Sequence, residues 1–409
     1  MSNPLANIDN ICFFDTETRA EDHATPNDGN VKTAGTYRYA KNSFVIISTW
    51  AIGSGKLFEV SLDRGFDGDW LCWDDMPREL HEFHKRVEQR EAWYAAFNAG
   101  FDRAAWNNGT FDFPRLEPDM VIDVMAQAVA SNLPPSLEGA SRAITGRGKQ
   151  DDGKALINLF CSPRGATPQQ KPEEWARFKT YGLRDTDEMR EVWAHTRPLP
   201  FEEWEDYWVS ERINERGVAV DMELARRASA VAAAEAARLN RELSRWTNGQ
   251  ITAVTQTKRI AEWVYDRLEY SEAREILVKE YDENASAEDD DEGDVKVGKL
   301  SLEKGRIETL LAFFDALEEK NGKLAERDRL IVDVVQARQF GGSTSPFKFD
   351  KMVDQHDDGR LKGQYVFNGA QQTGRFSSKG VQVHNLTRDS LKKYEEESIE
   401  FIMENLTEN

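Results

Sequence analysis

The sequence predicts an α/β domain built around a mixed sheet with flanking helices, then a mainly helical region, then a short segment of mixed structure. Three observations predict this order. Strand-like apolar runs alternate with helix-spaced stripes through the first 200 residues. Pro198-Leu-Pro200 then breaks the chain, and helical spacing dominates beyond it. The run Gly341-Gly-Ser-Thr-Ser-Pro346 ends that region in turn.

Residues 11–14 read as a short apolar strand that ends at Asp15 and Glu17. Residues 44–51 form a second strand, and 56–62 are its hairpin partner. Residues 77–90 carry Leu80, Phe83 and Val87 on one stripe, the spacing of a helix packed on a core. Residues 93–97 are the next strand, with a helix beginning at 103–106. Residues 120–130 predict a helix with Asp123 as its N-cap. Residues 175–196 predict a long helix that sets Tyr181 and Asp185 one turn apart on one face. Past the Pro-x-Pro break, helices are predicted over 201–216, 221–246 with Asp221 as cap, 257–269, 302–321 and 326–339. Residues 347–390 are mixed, with a strand over 363–369.

A chain of 409 residues has room for two or three domains. Charged residues make up 31% and hydrophobic ones 39%, and no stretch approaches a membrane span. The first nine residues lack the basic and apolar regions of a signal peptide. Three cysteines, Cys12, Cys72 and Cys161, are too few and too scattered for a disulfide framework or a zinc site, which points to a reducing, cytoplasmic setting. The net charge of −20 argues against a nonspecific nucleic-acid coat. That charge is uneven. An acidic run occupies 283–294, and 395–409 hold six Glu with no Lys or Arg. Between them, 338–393 hold ten Lys and Arg against five Asp, a balance of +5. Screening over about 8 Å lets one basic face bind a polyanion on an acidic protein.

Four carboxylates carry the chemistry. Asp15 and Glu17 lie in Phe13-Phe-Asp-Thr-Glu17, Asp102 in Phe97-Asn-Ala-Gly-Phe-Asp102, and Asp185 in Tyr181-Gly-Leu-Arg-Asp185. Hard divalent cations take oxygen ligands. Two such ions about 3.5–4 Å apart clamp the attacking and leaving oxygens of a phosphodiester. His81 and His84 share a helical face but have no third ligand for zinc. Gly146-Arg-Gly-Lys149 lacks the spacing of a phosphate loop.

Asp-Thr-Glu, Asn-x-x-Phe-Asp and Tyr-x-x-x-Asp are each weak signals alone. In this order the set resembles the Tyr-containing subgroup of proofreading 3′→5′ exonucleases. Asp358-Gly-Arg-Leu-Lys-Gly-Gln-Tyr-Val-Phe-Asn-Gly-Ala370, Thr373-Gly-Arg-Phe-Ser-Ser378, then Gln382-Val-His-Asn-Leu386 and Arg388, are similar to the palm-entry segment of family A DNA polymerases, most of all phage-encoded ones. Arg212-Ile-Asn-Glu-Arg-Gly-Val-Ala-Val-Asp221 resembles the junction between their exonuclease and polymerase parts. Leu133-Pro-Pro-Ser-Leu-Glu138 and Asp152-Gly-Lys-Ala-Leu-Ile-Asn-Leu-Phe160 also look phage-type. Asn385-Leu-Thr-Arg388 departs from the family's usual Asn-Leu-Pro-Arg.

The resemblance implies a ribonuclease-H-like exonuclease domain over 1–200, a helical thumb over 201–345 and the beginning of a palm over 346–409. It implies two Mg²⁺ (or Mn²⁺) held by Asp15, Glu17, Asp102 and Asp185, with Tyr181 orienting the attacking water. Asn98 would support Asp102 or touch the terminal nucleotide, while Phe101 reads as core and Asp187 as solvent-facing. It implies DNA contacts from Thr373, Arg375, Lys379, Gln382, Asn385 and Arg388, with Lys348, Lys351, Arg360 and Lys362 as further phosphate contacts. The family's polymerising aspartates and nucleotide-binding helix follow the Thr-Gly-Arg segment and have no counterpart here. The chain is therefore expected to be the proofreading part of a split or truncated polymerase, with a second polypeptide as partner, in the cytoplasm of a phage-infected bacterium. Competing readings are an RNA-processing 3′→5′ exonuclease and a non-catalytic DNA-holding subunit.

Overall fold

The structure, a computed structural model, describes residues 3–21, 27–66, 68–146, 153–279, 299–342, 346–370 and 373–386. Along the chain run β1 (Ile11–Ala20), α1 (Val31–Ala34), α2 (Thr36–Ala40), β2 (Ser43–Ile52), β3 (Phe58–Ser61), α3 (Arg78–Glu88), β4 (Trp93–Ala96), α4 (Ala99–Asn108), β5 (Val121–Asp123), α5 (Val124–Ala130), α6 (Leu137–Thr145), α7 (Gly153–Phe160), α8 (Pro172–His195) and α9 (Phe201–Arg216). They are followed by β6 (Val218–Ala219), α10 (Met222–Trp246), α11 (Thr257–Arg267), α12 (Ser271–Leu277), β7 (Val278–Lys279), β8 (Lys299–Leu300), α13 (Lys304–Asn321), α14 (Glu326–Gly341) and α15 (Phe347–Gln355). The short strands β9 (His356–Asp357) and β10 (Arg360–Leu361) and the hairpin β11 (Tyr365–Ala370) and β12 (Arg375–Ser378) complete the described chain.

The main sheet has the order β3-β2-β1-β4-β5. β1, β2 and β3 are antiparallel, and β1, β4 and β5 are parallel. Both faces are covered, so β1 and β4 are apolar on both sides of the pleat. Ile11 and Phe13 pack with Trp93, Ala95 and Trp193, while Cys12 and Phe14 pack with Tyr94, Ala96 and Trp106. α8 opens on Pro172 with Glu173 and Glu174 in its first turn and closes on His195, which matches the helix dipole at both ends.

The first strand is longer than its apolar run suggests. It continues to Ala20 because Thr16, Thr18 and Arg19 are buried and pair with β2. The helix expected over 120–130 is divided: Val121–Asp123 is an edge strand, and Asp123 caps the helix that follows by accepting the Met125 N–H. The helix expected from 103 begins at Ala99. α6, capped by Ser136, and α7 are helices that the periodicity does not single out.

The described residues fall into two compact units: those up to Met222 together with those from Lys351 onward, and Glu223–Asp350. A linear division at 200 and 345 cuts across the first. β10 pairs antiparallel with β6, Lys41 bridges to Asp357 at 2.7 Å, and Phe367 packs against Tyr207. The second unit is mainly helical, with a core of Leu239, Leu243, Trp263, Val264, Leu310, Phe314 and Val335 among others. A mixed sheet with flanking helices and a mainly helical remainder is thus the architecture. The acidic run at 283–294, the basic residue Arg388 and the tail at 395–409 lie outside the described residues. No helix among the described residues is long and apolar enough to cross a membrane.

Candidate active site

β1 is buried along its length except at Asp15 and Glu17, which are partly exposed. Two residues apart, they share one face of the strand. Asp15 stands opposite Thr49 of β2 and Glu17 opposite Ile47, and the register slips just after Glu17. Such a bulge re-aims side chains locally.

α8 covers that same face at close range. Thr49 Oγ1 meets Thr186 Oγ1 at 2.7 Å and donates to the Gly182 carbonyl at 3.1 Å. A Cβ at Gly182 would sit 3.2 Å from Thr49 Cγ2, so glycine is what allows the approach. Gly182 follows Tyr181, and Asp185 precedes Thr186, so the contact brings Tyr181 and Asp185 over the Asp15–Glu17 face. Tyr181 donates a hydrogen bond to Asp185. Its ring lies against Gly153, where a Cβ would come within 2.6 Å of Cε2.

Asp102 comes from α4, at the end of the parallel strand β4. Its Oδ1 accepts both the Thr16 N–H at 3.0 Å and the Thr16 hydroxyl at 2.7 Å. One turn earlier Asn98 adopts the left-handed conformation, with φ 63 and ψ 50, a region favourable to asparagine. Its N–H donates to Asp123 Oδ1 at 2.9 Å, so Asp123 holds the turn that launches α4.

The four carboxylates repel one another in a poorly hydrated place. Burial, then the charge of Asp102, pushes Asp15 up to about 8. Burial and the neighbouring Asp15 do the same to Asp185, against the bond from Tyr181, again to about 8. Burial takes Asp102 to about 7, opposed by the two Thr16 bonds. Glu17 is raised by burial and by Asp15, Asp185 and Asp102 together. Cys161 Sγ lies 4.0 Å from Glu17 Oε2.

The donor chemistry suits a hard divalent ion, since every charged group is a carboxylate. The coordination geometry is not assembled: among the described residues no three ligating side chains converge on one point. Asp102 has one oxygen committed to Thr16.

The remaining sequence candidates divide clearly. Thr373, Arg375, Lys379, Gln382 and Asn385 are exposed on or beside the β11–β12 hairpin. Lys379 also lines a small cavity, about 40 Å³, with Asn98, Asp123, Glu211 and Tyr365. Arg360 and Lys362 are engaged within the fold. Arg360 donates to the Arg216 and Gly217 carbonyls, and Lys362 pairs with Asp357 at 2.8 Å. Lys351 donates to the Gly380 carbonyl at 3.3 Å. Phe101 stacks on Tyr39, and Asp187 is paired with Arg190 at the surface. His84 meets the Tyr94 hydroxyl at 3.2 Å and His81 packs at a tilt against Trp73, both packing roles. The sequence motifs do not single out Thr16, Thr49 or Gly182 as site residues. A glycine inside a helix, next to a candidate tyrosine, was the available signal.

No protein-family model matches the chain. It is 25% identical over 375 residues to the DNA polymerase of Bacillus phage SP02, covering 88% of this chain and 49% of that protein. The chain thus spans about half the length of the curated relative it matches. Among solved structures, the POL domain of Pol1 from M. smegmatis, in complex with DNA primer-template and dNTP, aligns with 86% of this chain and 51% of its own at 12% identity and a TM-score of 0.46. Over nearly nine-tenths of its length the chain is thus similar to a portion of a phage DNA polymerase.

Proposed function

We propose that this chain is a divalent-cation-dependent 3′→5′ DNA exonuclease, the proofreading portion of a phage-type family A polymerase. The observation that carries the reading is the close packing of α8 on β2 through Thr49, Gly182 and Thr186, which sets Tyr181 and Asp185 near Asp15 and Glu17, with Asp102 bonded to Thr16. Polymerisation, and any second polypeptide that supplies it, belongs to the same proposal. So do the thumb and palm identities of the later segments.

Asp15, Glu17 and Asp185, with Asp102 in support, would hold two Mg²⁺ or Mn²⁺ ions. Such ions, when bound, lower the pKa of water and offset negative charge on a phosphodiester. The protein's own residues do the rest. Tyr181, fixed by Gly153 and bonded to Asp185, presents its phenol where it can orient a water. Burial keeps that phenol protonated, since its pKa is raised by desolvation and by the Asp185 charge. Thr16 holds Asp102 in place. Exposed Arg375, Thr373 and Lys379, with Gln382 and Asn385, offer contacts to the backbone and minor groove of a duplex. Minor-groove acceptors look alike across A·T pairs, which suits sequence-independent contact.

The test is cleavage of 5′-labelled single-stranded DNA and RNA with Mg²⁺ or Mn²⁺. The proposal requires stepwise shortening of DNA from the 3′ end, lost in Asp15→Ala and Asp185→Ala. Cleavage of RNA in preference would favour the processing-nuclease reading. Inactivity on both would leave the DNA-holding role.

A further inference from the structure

The helix that carries Asp102 is tied to the β11–β12 hairpin through a buried chain of polar contacts. Arg103, 2% exposed, donates from Nη1 to Glu215 at 2.9 Å. Its Nη2 meets the Tyr37 hydroxyl at 3.2 Å and Glu211 at 3.5 Å. Arg115 pairs with the far side of Glu215. The Glu211 carboxylate lies against the first turn of α4, where a Cβ at Gly100 would be 3.1 Å from Oε2. Glu211 Oε1 accepts from Asn214 Nδ2 at 2.9 Å.

Asn214 then uses both ends of its amide on one residue of the hairpin. Nδ2 donates to the Tyr365 carbonyl and Oδ1 accepts the Tyr365 N–H, each at 2.9 Å. The Asn214 carbonyl accepts the Gly363 N–H at 3.0 Å. This pairing fixes register as a strand neighbour does. Tyr365 opens β11, which pairs with the strand bearing Arg375. A buried ion pair is weak evidence for stability, because desolvation offsets much of the attraction. Fixing geometry is the better account of why charge is spent here.

We propose that Arg103, Glu211 and Asn214 are positioning residues that hold the hairpin in register with α4, so that a duplex end gripped by the hairpin is set against the carboxylates. The proposal rests on the exonuclease reading for its substrate and on the contacts above for its geometry.

The experiment uses Asn214→Ala in the full chain with two readouts. One is the ratio of 3′ removal from a mismatched primer-template to that from a short single strand. The other is hydrogen exchange in the hairpin and in the first turn of α4. The single-strand rate should stay within about twofold while the primer-template rate falls about tenfold, the scale of a lost buried hydrogen-bond pair. Exchange should quicken at Tyr365 and at Phe101. Asn214→Ser keeps a smaller hydrogen-bonding group without placing a second carboxylate against Glu211, so it should fall between wild type and Asn214→Ala. It also serves if Asn214→Ala does not fold. Equal loss on both substrates, or an unmoved ratio, overturns the positioning role, as does α4 exchange that stays at the wild-type rate. A wild-type chain inert on single strands overturns the exonuclease reading instead, and the exchange result still decides the network.

Discussion

Thr16→Val tests how Asp102 is held. The substitution keeps the volume and the β-branched shape suited to a strand. It removes a hydroxyl that donates to Asp102 Oδ1 at 2.7 Å, leaving the Thr16 backbone N–H at 3.0 Å as the remaining donor from that residue. Asp102 is 3% exposed, so water cannot readily replace the lost partner. A hydrogen bond to an ionised group contributes about 1.5–3 kcal/mol, and one between neutral groups about 0.5–1.5 kcal/mol. The charged bond exists only where Asp102 is ionised, above its value of about 7. The loss should therefore be about 2 kcal/mol at pH 8.5 and nearer 1 kcal/mol at pH 5. For a unit of this size that corresponds to a fall in Tm of about 4–8 °C at the higher pH and about half that at the lower. Calorimetry of both proteins at the two pH values is the assay. Equal shifts, or a larger shift at pH 5, would refute the idea that Thr16 steadies a carboxylate.

Three further outcomes follow from the same geometry. Asp15, Asp102 and Asp185 have folded-state values of about 8, 7 and 8, above those of the unfolded chain. Their contribution is fully present below the ordinary carboxylate range and is lost as pH rises through 7 to 8. Mn²⁺ should accordingly raise the Tm more at pH 8.5 than at pH 5; an equal rise at both would count against binding at these residues. Gly182→Ala gains about 1 kcal/mol of helix propensity and meets overpacking of about 1–3 kcal/mol, since Thr49 is held by its own bonds and cannot yield freely. Net destabilisation with slower cleavage is expected, and a higher Tm at full activity would contradict the close approach of α8. On the proposed exonuclease reading, Tyr181→Phe should lower kcat about a hundredfold with little change in KM, because it leaves binding groups intact and removes the phenol proposed to orient the water; a change confined to KM would assign Tyr181 to substrate binding.

Where the candidate residues sit on their strand and helix was legible in periodicity, although which of them to choose came from the motifs. Asp15 and Glu17 alternate out of a buried strand, and Tyr181 and Asp185 sit one turn apart on α8. What the sequence concealed was tertiary. The strand beyond Glu17 is buried despite its Thr and Arg residues: Thr18 meets the Tyr39 hydroxyl, and Arg19 donates to four backbone carbonyls between Phe160 and Ala166. No local pattern announces partners some 140 residues away. Asp123 reads as a cap near the start of a helix over 120–130, and nothing local shows that the three residues ending on it form the edge strand β5. Arg360 and Lys362 read as free phosphate contacts because their carbonyl and carboxylate partners come from other segments. A local excess of positive charge does not separate a solvated lysine from one that braces the fold.

The central claim is that the four carboxylates bind two divalent cations at a 3′ end. It is tested most directly by anomalous diffraction from crystals of this chain grown with Mn²⁺ and a thymidine nucleotide. The account predicts two manganese peaks about 3.5–4 Å apart, ligated by Asp15, Glu17 and Asp185 with Asp102 alongside, and the nucleotide's 3′ end beside Tyr181. Manganese elsewhere, or no peak at these residues while the nucleotide is bound, would contradict it.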